Sequence, residues 1–168
     1  MRVTITGTPG TGKTTASKRL ETDLDVIGLN DLIREEGLTT DIDEGRNSLV
    51  ADLEGIADRL ADRDGIVVES HLAHHLDVDR VVVLRCAPET LKRRLLDRGE
   101  SERKAAENAD AEALDVILSE AVDRHGLESV FEIDTTDLDP ETVAEEIDAV
   151  LRGDREPSAG RVDFTGYL

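Results

Sequence analysis

The sequence predicts an α/β fold, a three-layer sandwich in which a five-stranded, mostly parallel sheet carries helices on both faces. Three observations support this prediction. Short apolar runs alternate along the chain with segments whose apolar residues repeat at helical spacing. Two of these runs, residues 65–69 and 81–84, are apolar at consecutive positions, as is typical of parallel strands buried on both faces. A glycine-rich segment separates the first apolar run from the first helical pattern.

The predicted strands and helices follow one another along the chain. The strands are expected at residues 3–5, 26–29, 65–69, 81–84 and 130–133. The helices are expected at residues 14–21, 31–36, 46–60, 88–98, 111–125 and 140–151. Asn30 is a favourable N-cap for the second helix, and Gly37 is expected to close it. Residues 39–44 are polar and are predicted to form a loop.

The length of 168 residues is sufficient for one compact domain with a buried core. We predict a single domain over residues 1–152, followed by a polar C-terminal tail over residues 153–168. The tail contains Phe164 and Tyr167, two of the three aromatic residues in the chain. It is expected to dock on the domain or on a partner, and a mobile end with a local hydrophobic contact is an equally good interpretation.

The chain is strongly acidic. Its formal net charge is −19, from 39 acidic and 20 basic residues, and the carboxylates are spread along its whole length. We interpret this surface as halophilic, because molar salt screens the repulsion between carboxylates. An acidic surface shaped for a basic partner, such as a ribosomal protein, is the competing interpretation. The charge disfavours direct binding to nucleic acid, which requires Lys and Arg against phosphates.

The chain is expected to be cytoplasmic. No apolar run approaches the roughly 20 residues that span a bilayer, so no membrane association is expected. The first residues enter a strand directly, which leaves no room for a signal peptide. Cys86 is the single cysteine, which excludes an internal disulfide and a zinc cluster built on cysteines.

The glycine-rich segment GTPGTGKT fits the phosphate-loop pattern G-x-x-x-x-G-K-[ST] at every fixed position. Gly10 and Gly12 let the backbone turn so that consecutive N–H groups face an anion at the start of a helix. Lys13 is expected to reach the β- and γ-phosphates of a nucleoside triphosphate. The Thr14 hydroxyl is placed to ligate Mg²⁺, and Thr15 is placed to bind the α-phosphate. The segment therefore predicts binding of ATP and Mg²⁺.

The phosphate loop does not by itself identify the reaction. The chain has no N-K-x-D segment of the kind with which switch GTPases read the base, and it is too short for a large mechanical ATPase. A compact domain with two helical insertions suits a small-molecule kinase, which must cover both substrates to exclude water. We therefore predict a P-loop NTPase fold of the nucleoside monophosphate (NMP) kinase type.

A set of short segments carries a resemblance to a known family. The segments are GTPGTGKTT, DLIREE, VESH, LR at residues 84–85, LLDRG and KAAEN. In their order and spacing they resemble the adenylate kinase isoenzyme 6 family, called CINAP in animals, from Val3 to about Ala121. The resemblance implies that an insertion at residues 30–50 binds the monophosphate and that residues 98–108 form a lid over ATP.

The resemblance also implies activities and partners. Members of that family transfer phosphate from ATP to AMP and hydrolyse ATP. They also act in the late maturation of small-subunit ribosomal RNA, through their own transient contact with ribosomal protein uS11. A ribosome-assembly ATPase acting on uS11, with incidental kinase activity, is therefore one alternative function. A kinase for another small metabolite is the second.

Two residues near the end of the third predicted strand match the family's D-x-H motif. Family members usually have Asp where this chain has Glu69, which is longer by one methylene. Glu69 is expected to orient water on Mg²⁺ from the strand beside the phosphate loop. His71 matches the motif histidine, and the resemblance implies that it positions water or phosphate for ATP hydrolysis.

Arginines are expected to converge on the transferred phosphoryl group, because charge concentrates there during transfer. Arg98 opens the predicted lid and matches the ATP-binding arginine of the family. Arg34 and Arg46, both in the first insertion, are candidates for holding the acceptor phosphate. Arg103 and Lys104 are expected to help close the lid.

Other polar residues allow more than one interpretation. Thr136 follows the last predicted strand, where P-loop kinases seat the adenine, and a turn with a helix cap is an equally good interpretation. The sequence H-x-x-H-H invites a zinc interpretation, which we do not favour because the glutamate of H-E-x-x-H is absent. Four further arginines are predicted to lie on solvated helix faces: Arg59, Arg63, Arg93 and Arg94.

Overall fold

A parallel five-stranded sheet forms the centre of the described part of the chain. The computed structural model describes residues 1–43 and 48–168, of which residues 42, 43, 48 and 49 are described by their backbone alone. The strands are β1 (Arg2–Thr6), β2 (Asp25–Gly28), β3 (Thr39–Asp43), β4 (Ser48–Ala51), β5 (Ile66–Glu69), β6 (Arg80–Arg85) and β7 (Val130–Asp134). The main sheet has the order β2-β5-β1-β6-β7, and all its pairings are parallel.

Helices cover both faces of this sheet. They are α1 (Lys13–Ser17), α2 (Leu29–Glu36), α3 (Leu53–Leu60), α4 (Pro88–Asp97), α5 (Glu102–Ala113), α6 (Val116–His125) and α7 (Pro140–Arg152). Val67 and Val82 pack with α1 and α7, whereas the adjacent Val68 packs with α2 and α3 and Val83 packs with α6. Neighbouring strand residues thus face opposite helical layers, which explains why these strands are apolar at consecutive positions. No helix among the described residues is long and apolar enough to cross a membrane.

The first insertion contains a β-hairpin that the sequence did not predict. Residues 39–44 were predicted as a loop and residues 46–60 as a helix, but β3 and β4 pair antiparallel across this segment. The helix α3 begins only at Leu53, because the side chain of Asp52 caps it by accepting a hydrogen bond from the N–H of Gly55 at 3.0 Å. Because apolar spacing alone cannot locate the start of a helix, the predicted helix began several residues before Asp52, the actual N-cap.

Two other helix boundaries differ from the prediction. The first helix ends at Ser17 instead of residue 21, and the N–H of Glu21 binds the Asp148 carboxylate on α7 at 2.9 Å. The second helix begins at Leu29 after Gly28, so the predicted N-cap Asn30 lies inside it, whereas Gly37 does close it in a left-handed conformation.

The predicted lid segment and the helix after it form a broken helical pair. Ser101 caps α5 by accepting a hydrogen bond from the N–H of Lys104 at 3.2 Å. The helix predicted at residues 111–125 breaks at Asp115, which has a positive φ of 54°. Leu114 is consequently 58% exposed instead of facing the core.

The C-terminal tail docks on the domain. The N–H of Ser158 donates to the carbonyl oxygen of Val130 at 3.0 Å, and the Ser158 hydroxyl accepts from the N–H of Glu132 at 2.9 Å. Further along the tail, the ring of Phe164 lies 5.3 Å from the guanidinium carbon of Arg85. Docking beside β7 is therefore the correct one of the interpretations considered for the tail.

Candidate functional site

The phosphate loop lies between β1 and α1, at the carboxyl edge of the sheet. Gly7 has a φ of 143°, and a Cβ atom there would lie 2.5 Å from the carbonyl oxygen of Leu84. Gly12 caps α1 with a left-handed φ of 94°. Glycine is required at both positions because any other residue would clash or be strained. The glycine spacing thus directs the backbone N–H groups that precede α1.

Lys13 is almost fully buried at the start of α1. Its ammonium donates hydrogen bonds to the carbonyl oxygens of Gly7 at 2.8 Å and Thr8 at 3.0 Å. These two bonds leave one of its three N–H donors for a ligand. Burial lowers the pKa of Lys13 to about 8, against the opposing effect of Glu69 and Glu112. Lys13 is therefore still mostly protonated at neutral pH, and its ammonium lies inside the turn of the phosphate loop.

Thr14 and Glu69 provide oxygen ligands suited to Mg²⁺. Glu69 ends β5 opposite Ile5 of β1, which places it beside the phosphate loop as the sequence predicted. The Thr14 hydroxyl donates to Glu69 Oε1 at 3.1 Å. A hydroxyl and a carboxylate are hard oxygen donors, the kind that Mg²⁺ prefers. These residues therefore fit the ion, although Glu69 replaces the usual Asp.

His71 follows β5 and remains neutral at physiological pH. Burial, followed by the charge of Lys13, lowers the pKa of His71 to about 4. A neutral imidazole is able both to donate and to accept a hydrogen bond. The side chain is therefore suited to hold water or phosphate and does not add positive charge.

A cavity of about 390 Å³ brings most of the predicted site residues together. Asn30, which had been predicted only as a helix cap, also lines this cavity from α2. We call this space the phosphate cavity. The predicted residues that line it are Gly10, Gly12, Lys13, Thr14, Thr15, Glu69, His71 and Arg98.

A second cavity, of about 410 Å³, adjoins the phosphate cavity and shares Thr15 and Arg98 with it. Leu138, Pro140 and Val143 give this second space an apolar wall. An apolar wall beside a phosphate loop suits the flat face of a nucleotide base. We call this space the base cavity.

Arg94 lines the base cavity, and the prediction of a solvated position for it was wrong. Its guanidinium lies 3.3 Å from the carbonyl oxygen of Thr135 and 3.5 Å from that of Gly10. Residues four apart lie on one face of a helix. The spacing to Arg98, already a site candidate, was therefore a signal in the sequence that would have identified Arg94.

The residue that lines the base cavity after β7 is Thr135. Its neighbour Thr136, the predicted one, uses its hydroxyl within the turn. Thr136 Oγ1 accepts from the N–H of Ala87 at 2.8 Å and donates to the carboxylate of Asp134 at 2.5 Å. The side chain that lines the cavity is therefore one position before the predicted one, and a place for adenine at this segment stays a prediction.

Comparison with known proteins connects this geometry to a family. Residues 3–115, about two thirds of the chain, match the family described as "AAA domain". The chain belongs to this family. A protein of Natronomonas pharaonis named "Putative adenylate kinase" is 64% identical over 168 residues, and the match covers 100% of both chains. A protein of the same name from Halobacterium salinarum is 62% identical over 169 residues, and the match covers 100% of both chains. Another, from Methanothermobacter thermautotrophicus, is 46% identical over 169 residues, which cover 99% of this chain and 98% of that one.

Solved structures confirm the predicted fold class of this chain. Shikimate kinase from Bacteroides thetaiotaomicron superposes with a TM-score of 0.60 at 17% identity, over 90% of this chain and 98% of that one. A gluconokinase from Sinorhizobium meliloti superposes with a TM-score of 0.56 at 18% identity, over 90% and 91% of the two chains. Both are named as kinases, and their superposition confirms the predicted three-layer α/β fold.

Several residues that the sequence predicted for the site lie away from the phosphate cavity. Arg34 is exposed on α2 and forms an ion pair with Asp31. Arg103 is 73% exposed and pairs with Glu107 along α5. Lys104 instead lines a third cavity, of about 380 Å³, between α5 and the phosphate loop. Arg46 lies outside the described residues.

Proposed function

We propose that the chain is a Mg·ATP-dependent nucleoside monophosphate kinase with AMP as acceptor, catalysing ATP + AMP = 2 ADP. The observation that carries the proposal is the convergence of Lys13, Thr14, Glu69 and Arg98 on one phosphate cavity beside an apolar base cavity. The names of relatives at 64% and 62% identity support adenylate as the acceptor. The protein is proposed to act in the cytoplasm.

The chain's own residues position the phosphates and neutralise their charge. Lys13 and Arg98 would hold the transferring group from two sides, and the base cavity would seat the adenine between Arg94 and the apolar wall. An oxygen of the acceptor phosphate attacks the γ-phosphorus, and the bond to the bridging oxygen of ADP breaks. No covalent intermediate is required, because positioning and charge stabilisation carry this reaction. Mg²⁺, held through Thr14 and Glu69, would supply charge neutralisation on the triphosphate.

The acceptor is proposed to enter beside α2. Asn30 lines the phosphate cavity, and Arg34 lies four residues further along the same helix face. Among the described residues, Arg34 forms its ion pair with the exposed Asp31, which is a weak interaction in water. Arg34 can therefore exchange Asp31 for the phosphate of AMP, with Arg46 as a second proposed contact from the same insertion.

Without an acceptor, slow hydrolysis of ATP is proposed to pass through the neutral His71, which would position the attacking water. The role in small-subunit rRNA maturation and the contact with uS11 stay predictions from the family resemblance.

The first test measures ADP and inorganic phosphate formed from Mg·ATP in molar KCl, with and without AMP. We expect AMP to divert turnover from phosphate release to ADP formation, with two ADP formed for each AMP consumed. Shikimate and gluconate serve as control acceptors, because the names of the two superposed structures indicate kinases of these compounds. If no acceptor changes slow phosphate release, the kinase proposal is wrong and an ATPase acting on a protein partner is favoured.

The pH dependence of ATP binding tests the role of Lys13. Because the pKa of Lys13 is lowered to about 8, its ammonium loses the proton as pH rises through that value, and the neutral amine no longer attracts phosphate. We expect the dissociation constant for ATP to be flat near pH 7 and to rise roughly tenfold per pH unit above pH 8. Equilibrium titration with ATP at a series of pH values measures this.

The matched variant is Lys13→Arg, which stays charged across the whole range. Its affinity for ATP is expected to show no alkaline decline, whatever its value at pH 7. If the ATP affinity of Lys13→Arg declined above pH 8 as it does in the wild type, another titrating group would cause the decline.

A further inference from the structure

A cluster of two histidines and one glutamate lies outside the phosphate cavity. His74 and His75 end a short 3-10 turn, Ala73–His75, that follows β5, and Glu120 lies on α6. One ligand atom from each residue can be chosen such that all three lie within 4.8 Å of one another. His74 Nε2 is 2.8 Å and His75 Nε2 is 3.9 Å from the same oxygen, Glu120 Oε2.

Two of the three separations are close to those in a small coordination sphere. In a tetrahedral zinc site with bonds of about 2.0–2.1 Å, ligand atoms lie roughly 3.3 Å apart. The two distances to Glu120 Oε2, 2.8 and 3.9 Å, bracket this value. The ligand atoms of the two histidines lie within 4.8 Å of each other and would move closer together around an ion. The Glu120 and His75 side chains are 48% and 34% exposed, so both have room to move.

A second contact orients the buried ligand. The His74 side chain is 2% exposed, and its Nδ1 lies 3.0 Å from the Thr6 hydroxyl at the end of β1. When Nε2 binds a metal, Nδ1 carries the proton and needs an acceptor, which the Thr6 oxygen provides. Such a contact behind a metal-binding histidine fixes the tautomer and the plane of the ring. The solvent-exposed side, at His75 and Glu120, provides the path of entry and room for a water as fourth ligand.

We propose that His74, His75 and Glu120 bind a divalent transition-metal ion, with Zn²⁺ as the reference ion. Two imidazole nitrogens and one carboxylate oxygen form a ligand set typical of zinc and poorly suited to Mg²⁺. The ion would join the turn after β5, three residues beyond His71, to α6. The H-x-x-H-H sequence contains two of these ligands but could not indicate the third, because Glu120 lies 45 residues beyond His75 on another helix. His71, part of the H-x-x-H-H pattern, is not among these ligands.

The test measures zinc affinity by competition with a chromophoric zinc chelator. It uses the full chain without a polyhistidine tag, freed of metal, without nucleotide, and with excess Mg²⁺ to occupy sites built only from oxygen. We expect one Zn²⁺ per chain, with a dissociation constant on the order of micromolar or tighter. His75→Ala and Glu120→Gln are each expected to weaken binding at least roughly tenfold, because each removes one of three ligands.

The control variant is His125→Gln. His125 lies on the same helix as Glu120 and donates to the backbone oxygen of His74 at 2.7 Å, but its ring is not among the three ligands. Zinc is expected to bind this variant as it binds the wild type. Zinc should also raise the melting temperature of the wild type and of His125→Gln, and not that of His75→Ala or Glu120→Gln.

Three results would overturn the proposal. They are the absence of saturable one-to-one binding, unchanged affinity in both ligand variants, and an equal loss in His125→Gln. Both ligand variants change partly exposed side chains, and circular dichroism confirms that each is folded before its affinity is compared. Two independent variants keep the test decisive if one of them does not fold.

Discussion

Replacing Lys13 with alanine is expected to lower kcat/KM for phosphoryl transfer by roughly 10³-fold, which corresponds to about 4 kcal/mol of transition-state stabilisation. Lys13 is the cation buried deepest in the phosphate cavity, and one of its N–H donors remains for the transferring group. Hydrolysis of ATP without AMP should fall to a similar extent, because both reactions use the same donor. Initial rates with and without AMP, in molar KCl, measure both losses.

The control for this experiment is Lys18→Ala. Lys18 is exposed one turn later, at the end of the same helix, so its removal changes the charge of the chain by the same amount. Lys18→Ala is expected to keep wild-type rates. Retention of either activity in Lys13→Ala would show that the loop lysine does not serve the reaction.

Stability separates a catalytic loss from unfolding. The pKa of Lys13 is about 8 in the folded chain and near 10.5 when unfolded, so the charged form disfavours the folded state. This penalty is fully present below pH 8 and is relieved as pH rises towards 10.5. At pH 7, Lys13→Ala should therefore unfold at the same temperature as the wild type or a higher one.

The sheet and the phosphate loop could be predicted from the sequence because their signals are local. A strand buried on both faces is apolar at every position, as residues 66–68 and 81–84 are. The loop has glycines where the backbone requires positive φ, so the pattern of residue types and the conformation coincide. The order of strands then places Glu69 beside the loop, because parallel strands share one carboxyl edge.

The missing parts depend on contacts between distant segments. In the β3–β4 hairpin, β3 was missed because its residues are mostly polar, and β4 was missed because its apolar residues continue at helical spacing into α3. Arg94 appeared to be a solvated helix residue, and only packing of α4 under the phosphate loop gives it carbonyl partners. Asn30 entered the site because α2 starts two residues earlier than its capping pattern suggested.

The most consequential feature that the sequence did not indicate is the buried Arg85. This side chain ends β6, is 1% exposed and contacts three carboxylates. It donates to Glu112 at 2.8 Å, and to Glu132 and Asp115 at 2.5 Å each. Burial by itself would lower the pKa of Arg85, but Glu112 and Asp115 outweigh it and hold the pKa above its usual value. The guanidinium is therefore permanently charged and neutralises the acids around it.

These carboxylates connect the arginine to distant parts of the fold. Glu112, on α5, also accepts from the Thr8 hydroxyl of the phosphate loop at 2.5 Å. Glu132, on β7, also accepts from the N–H groups of Arg161 and Val162 in the tail at 2.8 and 3.1 Å. Removing the arginine would thus leave buried charge next to the loop and beneath the tail.

Arg85→Met is expected to reduce the free energy of unfolding by about 3–5 kcal/mol, because breaking a buried ion pair leaves uncompensated charge. For a chain of this size, that corresponds to a decrease in melting temperature of roughly 6–20 °C. Thermal unfolding in molar KCl, followed by circular dichroism, measures the effect. Arg124→Met is the matched control, since Arg124 pairs with Asp77 on the surface with side chains 44% and 91% exposed, and little change is expected.

A variant that also removes the two buried carboxylate charges distinguishes buried charge from lost packing. Arg85→Met combined with Glu112→Gln and Glu132→Gln keeps one acceptor oxygen on each of these two side chains and removes their buried charges, while the charge of Asp115, which is 31% exposed, remains. If charge is the cause, this triple variant is more stable than Arg85→Met alone, whereas equal stability would assign the loss to packing.

The dependence of stability on salt provides a second test, because mobile ions screen exposed ion pairs and not buried ones. The defect of Arg85→Met should therefore persist from low salt to molar KCl, since ions that screen the acidic surface cannot replace a guanidinium that lies inside the fold.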